Sequence, residues 1–531
     1  MTNLRKRLLG ALVATAAVVV SLDVTAASAA PTGLTAANFR LQQGAYNPAI
    51  AGLDGVLPKA ELSDVVESAN RTGKTCGAHA PSVVASFCWQ SISGADDANT
   101  TDWYPQGITT SADADPLGKY QGKTVIATTW YWHAGGTDRG DRVAFVDYSN
   151  PDKPVYRFVL LVAPTTTGGK PDFKQMTNSS GESVHAGGVF WYGHYLYVVD
   201  TSLGLRVFDL DHIWQVDSTQ DTIGLQSNGK YEAFGYKYVL PQAFTYTSSM
   251  AGGYPAFRFS STALDRTTTP VSMVVSEYNT ETTDTHRAVR FSLNENDFTL
   301  ATAQDGLAHG TEAYETGILR AQGTASVRGR FYASTSYSTS SVHYGSLSSF
   351  TGSQNVVRYE NVLQPYPEDL SYWRDRDQLW SLSEDPGTRV VYAMQESLLA
   401  WPTVQNGGSG TDVKALQYLL NGQGDAGLDV DGAFGSATLA AVKRFQTAHG
   451  LDADGVVGPR TWKALVPSLT QGATGDSVRG LQAELTAHGR STPVTGTFDA
   501  TTTTNLRAFQ TASGHQADGV TDMDTWRDLI N

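Results

Sequence analysis

Carboxylates are the residues of this chain best placed to do chemistry. Glu368 and Asp369 are adjacent, and Glu277 and Asp200 each close a run of β-forming residues. An acid and a base or nucleophile held about 5–10 Å apart can hydrolyse a glycosidic bond. Glu368, Asp369 and Glu277 are therefore the catalytic candidates, with Asp200 behind them. Strand-end carboxylates such as Glu277 and Asp200 more often serve turns and edges. The spacings of HExxH, GxSxG, phosphate-binding loops and dinucleotide-binding loops are absent. His79, His133, His185, His194, His212, His286, His309 and His343 are scattered. His133 (WHAGG) and His185 (VHAGG) share a context, but only His185 opens a repeat unit, so the match is read as coincidence. No metal site and no cofactor is expected.

Cys76 and Cys88 stand twelve residues apart, with only His79 close by in sequence. That is a poor metal set. In an oxidising compartment the pair is expected to form a local disulfide, worth roughly 3 kcal/mol through loop entropy. The N-terminus points to such a compartment. Arg5, Lys6 and Arg7 precede an apolar run from Leu8 to Leu22, and Ala27-Ser28-Ala29 is a small-residue cleavage site. This is the layout of a secretory signal over residues 1–29. The alternative, a membrane anchor, asks for a run of about 20 apolar residues, and no later stretch supplies one. The protein is expected to be secreted and extracellular, with no membrane span.

Removing a signal of net charge +2 takes the formal charge from −14 to −16. Nucleic acid is excluded as a partner by that balance, and so is charge attraction to anionic wall polymers. A mature chain of about 500 residues exceeds one ordinary core and predicts several domains.

Residues 31–400 are built from short β-branched and aromatic runs between turn residues, among them KTVIATTWYW (123–132), HYLYVVDTS (194–202) and VSMVVSEY (271–278). This predicts an all-β region. A weak repeat runs through it, opening at PQGITTSAD (105–113), VHAGGVFWYG (184–193), FSSTALDR (259–266), AQGTASVRG (321–329) and PEDLSYWRD (367–375). Five such units resemble a β-propeller, most simply one of five blades; a pair of β-sandwiches is the competing architecture. The resemblance implies that the last unit borrows a strand from before Trp103 to close the ring. It also implies that Gln106, His185, Ser261, Gln322 and Glu368 face one another in the central channel, with Asp265 and Asp369 close by. Such a ring could bind a small polar ligand such as a sugar, or be plugged by its own hydrogen bonds.

The C-terminus is a duplication. GTDVKALQYLL (410–420) returns as GDSVRGLQAEL (475–485), and AVKRFQTAHGLDADGVVGPRTWKAL (441–465) returns as NLRAFQTASGHQADGVTDMDTWRDL (505–529). Each copy reads as three short helices, capped at Thr411 or Asp476, after Gly435 or Asp499, and after Gly458 or Asp522, with Trp462 or Trp526 in the core. Leu416-Gln417, Asp431-Gly432, Phe434-Gly435, Phe445-Gln446, Asp454-Gly455 and Thr461-Trp462 resemble the peptidoglycan-binding module of many secreted wall hydrolases. That resemblance implies peptidoglycan as partner, with Gln417, Asp431, Gln446 and Arg460 as candidate binding residues. Copy two departs from the pattern at Thr495, Asp499 and Thr521-Asp522, so it is expected to fold but to bind less well.

The expected organisation is a signal (1–29), a segment with the disulfide and the ring-closing strand (30–102), an all-β propeller (103–400) and two all-α modules (401–467 and 468–531). The expected function is a cell-wall-associated protein whose propeller binds a glycan or another protein. The alternative is a wall or polysaccharide hydrolase using paired carboxylates.

Overall fold

The computed structural model describes residues 24–77, 82–336, 344–352, 354–424 and 426–530. The basic and apolar parts of the expected signal, and His79 and His343, lie outside these residues. Val24–Ser28, inside the expected signal segment, pairs antiparallel with Val356–Pro365. Among the described residues no helix is long and apolar enough to cross a membrane.

The five repeat openers are the innermost strands of five antiparallel, four-stranded blades. Blade I is Trp103–Thr110, Val125–Trp132, Asp141–Asp147 and Val155–Thr167. Blade II is Val189–Tyr192, Tyr195–Asp200, Gly204–Asp209 and Tyr238–Met250. Blade III is Phe259–Asp265, Ser272–Glu277, Arg287–Ser292 and Ala308–Glu315. Blade IV is Ala321–Val327, Arg330–Thr335, Tyr344–Thr351 and Val356–Pro365. Blade V takes Pro367–Trp373, Gln378–Ser383 and Val390–Gln395 from one end of the sequence and Val83–Cys88 from the other, in the register Val390 to Cys88. The ring is thus closed by a strand from before Trp103, as the repeat implied. The Cys76–Cys88 disulfide pins the closing strand.

Each blade is buried on both faces, which is why its strands read as continuous apolar runs. In blade II, Phe190, Tyr197, Val199 and Val207 enter one core, and Val189, Trp191, Leu196 and Val198 enter another. Period-two alternation thus sorts residues between two cores. The segment before the ring covers outer edges that would otherwise invite foreign strands: Phe39–Gln43 adds to blade II and Thr32–Gly33 to blade III.

Six helices follow. Module 1 has Thr411–Gly422, Ser436–Ala448 and Pro459–Leu465; module 2 has Asp476–Ala487, Ala500–Ala512 and Met523–Leu529. Trp462 and Trp526 are fully buried, and truncating either to Ala would cost about 3–5 kcal/mol. Their indole N–H groups donate to the carbonyls of Pro402 (2.9 Å) and Pro467 (2.7 Å), tying each third helix to the segment that leads into its own module. Asp499 and Asp522 cap the second and third helices of module 2 by accepting from the Thr502 and Thr525 amides, whereas Gly435 and Gly458 provide no side-chain cap in module 1.

The modules pack on each other through their first helices and on the propeller through a buried ionic network. Arg527 donates to Glu396 Oε1 (2.9 Å), to Asp524 Oδ1 (2.5 Å) and to the Glu396 and Leu399 carbonyls (3.1 and 3.2 Å). Arg328, in the first hairpin of blade IV, pairs with Glu396 and Asp524. Arg330 of the same hairpin pairs with Asp528, which also holds His515 at 2.7 Å. Module 1 is tied more lightly, by Lys463 Nζ donating to Ser397 Oγ at 2.8 Å.

Candidate functional site

The channel has one polar mouth and a closed waist. At the mouth, Gln106 Nε2 donates to Glu384 Oε2 (2.7 Å) and Gln322 Nε2 donates to Glu368 Oε1 (3.1 Å). Burial pushes the Glu368 carboxyl well above its ordinary range, and the charges of Glu384 and Asp369 add to it. Burial likewise raises Glu384, against the pull of its Gln106 hydrogen bond. A half-exposed aromatic group flanks them: the Tyr131 ring lies 4.8 Å from His185, and Tyr104 lies 5.0 Å from His133. His185 is solvent-accessible yet densely surrounded, the combination that a concave mouth produces.

Asp369 closes the waist. Its Oδ2 accepts from the backbone amides of Ile108 (3.2 Å) and Val189 (3.0 Å), so one carboxylate from blade V grips blades I and II. The approach is close: a Cβ on Gly323 would stand 2.6 Å from the Asp369 Cα. Hydroxyls fill the levels around it. Ser261 Oγ lies 2.7 Å from Ser276 Oγ, which accepts from Thr324 (2.6 Å). Beyond the waist Asp113 accepts from Thr109 (2.7 Å) and Ser371 (2.8 Å), and burial lifts it to about 6.

Of the channel candidates, then, Gln106, His185, Gln322 and Glu368 lie together at the mouth, Gln106 and Glu368 themselves buried and His185 exposed, whereas Ser261 is buried among the hydroxyls of the next level. Asp369 is a structural tie between blades. Glu277, a catalytic candidate in the sequence, is fully buried and forked to Arg287 at 2.6 and 2.7 Å. Asp200 is bound by Arg206 at 2.8 Å and Asp265 by Arg290 at 2.8 Å. Glu277 and Asp200 are strand-ending acids beside an Arg on the neighbouring strand, whereas Arg290 reaches Asp265 from one strand further out. Glu384, which sequence reasoning missed, lies in the turn after Gln378–Ser383; its context SEDPG gave no sign that it would fold back to the channel.

In the modules the glutamines are internal braces. Gln417 Nε2 donates to Asp431 Oδ1 (2.7 Å), the Ala433 carbonyl (3.1 Å) and Thr438 Oγ1 (3.3 Å), while its Oε1 accepts from the Gly432 amide (2.9 Å). Gln446 repeats the pattern on Asp454 (2.9 Å), Val456 (2.9 Å), Thr461 (3.2 Å) and Gly455 (2.9 Å). Module 1 is therefore two half-repeats, a helix carrying a Gln followed by a loop D-G-x-x-G-x-x-T, and Gly432 and Gly455 take the left-handed conformation the loop needs (φ +74° and +82°). In module 2, Thr495 replaces Asp431 and still accepts from Gln482 at 3.2 Å. The departures of copy two leave the braces standing. Gln417, Gln446 and Asp431 spend their polar atoms on these loops, whereas Arg460 is exposed and makes no ion pair among the described residues.

One further cluster has ligand-type residues. His194 Nδ1 lies 3.1 Å from Asp209 Oδ1 and 3.0 Å from Asp211 Oδ2. Tyr46 donates to the other Asp209 oxygen at 2.7 Å, and the cluster is accounted for by these hydrogen bonds.

The family model described as a peptidoglycan binding domain matches residues 409–465 and 474–529, the two brace-bearing modules. The C-terminal pair is a tandem of peptidoglycan-binding domains. An uncharacterized protein of Kitasatospora aureofaciens is 51% identical over 74 residues, which are 14% of this chain and 63% of that one. The zinc D-Ala-D-Ala carboxypeptidase of Streptomyces albus G is 48% identical over 65 residues, 12% of this chain and 26% of the enzyme. This chain thus spans less than two thirds of either relative. Among solved structures, a GH43_1 enzyme from Xanthomonas citri complexed with xylose covers 55% of this chain and 88% of its own at 12% identity, with a TM-score of 0.25. At that level of likeness nothing about chemistry carries over.

Proposed function

We propose that this protein is exported, holds the bacterial cell wall through its C-terminal tandem, and presents the mouth of its propeller to a glycan or a protein. The observation that carries the reading is the pair of peptidoglycan-binding domains, both with intact braces and both fixed to the propeller. Export fits the secretory layout of residues 1–29 and the Cys76–Cys88 disulfide, which is favoured in oxidising compartments. The net charge of −14 leaves binding to shape and hydrogen bonds rather than to charge attraction. The mouth has the composition of a polar-ligand site: two amides, two carboxyls and four rings. Wall retention is tested by fractionating cells that express the full gene; the protein should leave the cytoplasm and stay with the wall until chaotrope is added. Recovery in the cytoplasm would end this reading.

Polysaccharide hydrolysis is the second reading, and one observation favours it. Glu368 and Glu384 are carboxyls that burial raises at the same mouth, and a general acid is a carboxyl whose surroundings shift it in that direction. Release of reducing ends from wall glycan by the wild type but not by Glu368→Gln would support it. Equal release by both, or none by either, would remove it.

A further inference from the structure

The two modules put equivalent faces to different uses. In module 2 the turn after the second helix and the start of the third helix lie against blade IV. Gly514 packs on Gly329, Ser513 Oγ accepts from Gln354 at 3.1 Å, and Asp524 pairs with Arg328. The residues 64 positions earlier in module 1 are Gly450 and Arg460. Among the described residues, no hydrogen bond or ion pair joins these to the propeller. They face it across a cleft of about 460 Å³, with Val83, Val84 and Leu398 on the far wall and Asp452, Asp454 and Arg460 on the near one.

We propose that this cleft binds the peptide stem of peptidoglycan, gripped between module 1 and the propeller, while the matching face of module 2 has been given over to docking. The proposal rests on the reading of the tandem as wall-binding and adds to it a ligand class and a second wall.

The volume lies in the range of sites that enclose a small ligand. Its two walls differ in chemistry. The propeller wall is largely apolar, and Val84 is 45% exposed there, whereas Val390 and Val391 on the neighbouring strand are buried. The module wall is charged. Arg460 and Asp452 are exposed and make no hydrogen bond or ion pair among the described residues, whereas Asp454 is already committed to Gln446 and the Val456 amide. A free guanidinium binds a carboxylate through paired hydrogen bonds. A free carboxylate beside it suits an ammonium. Small side chains suit the apolar wall. A short peptide with a free carboxylate, an amine and methyl side chains has all three. A glycan strand fits less well, because a sugar's C–H face seeks an exposed ring. Tyr359, the one ring among the described lining residues, is 3% exposed.

The arrangement explains why both copies persist. Module 2 fixes the tandem, so that module 1 meets the propeller across a gap of set width. Side chains that do not need to be ordered on binding cost the complex less.

The test uses the full-length protein and two variants, Arg460→Ala on the module wall and Val84→Glu on the propeller wall. Both positions are exposed, so the cores stay intact, and matching melting curves verify this. Calorimetric titration with a synthetic stem peptide ending in D-Ala-D-Ala should show binding by the wild type, weakened at least tenfold by each substitution. Chitotetraose should not compete. Loss with Arg460→Ala but unchanged affinity with Val84→Glu would overturn the composite cleft and leave wall binding in place. Binding heat from chitotetraose, with none from the peptide, would overturn the ligand class. If the wild type does not sediment with purified peptidoglycan at all, the underlying reading fails and the proposal with it.

Discussion

At the scale of single residues, buried carboxyls carry the sharpest expectations. Glu484 sits in the interface between the two first helices, 65 positions after Leu419, where copy one has an apolar side chain. Burial, with Asp412 nearby, lifts it to about 8 from an ordinary value of 4.5. The folded state therefore prefers the protonated form. The sign follows: this contribution to stability is complete below about pH 4.5 and is lost as the pH rises to about 8, by as much as about 1.4 kcal/mol per pH unit for one group. Glu484→Leu should flatten that stretch of the curve of melting temperature against pH and raise the melting temperature at pH 8. An unchanged slope would show that Glu484 is already solvated in the native state. Residue roles were only partly legible in the sequence. Gln417, Gln446 and Asp431 stood out because they were polar and repeated, but repetition is also what a structural brace produces. Glu277 read as a strand-end acid, and its Arg287 partner ten residues on was invisible without the strand pairing.

Elements were more legible than residues, because β-branched runs and helix caps act locally. All five openers became inner strands. The half-repeat within each module was also written in the sequence, as Gln followed by D-G-x-x-G-x-x-T twice in copy one, with Thr495, Asp499 and Asp522 as its departures in copy two, and can be recognised once the first loop is understood. Gln446→Ala would leave the Gly455 amide, the Val456 carbonyl and Thr461 without their partner. A cost of about 2–3 kcal/mol is expected for the tandem, read as faster amide exchange in loop 450–461 with the propeller unaffected. Protection equal to wild type would show that the brace is dispensable. The closing strand offers a second test. Cys88 lies on Val83–Cys88, so reduction of its bond to Cys76 should lower the propeller transition by returning entropy to the loop that the bond closes. A shift confined to the helical transition would contradict that placement.

For the whole molecule, the feature least legible in the sequence is the docking of module 2. Arg328, Arg330, Glu396, Asp524, Asp528 and Arg527 are spread over 200 residues, and nothing local marks them as one network. The clue was indirect: Asp524 and Arg527 stand where module 1 has Arg460 and Lys463. Arg527→Ala leaves Glu396 and Asp524 buried with one cation fewer, a change that costs about 3–5 kcal/mol in comparable networks. Module 2 should then come loose, with faster proteolysis between the modules and a larger radius of gyration in solution scattering. Unchanged scattering would mean that the apolar contacts suffice.

The central claim is that the tandem holds the wall. Co-sedimentation of the intact protein with purified peptidoglycan tests it most directly. The account predicts that most of the protein pellets, that Arg460→Ala shifts it to the supernatant, and that added salt has little effect, since the protein is acidic. Wild-type protein that stays in the supernatant, or pellets only at low salt, would contradict it.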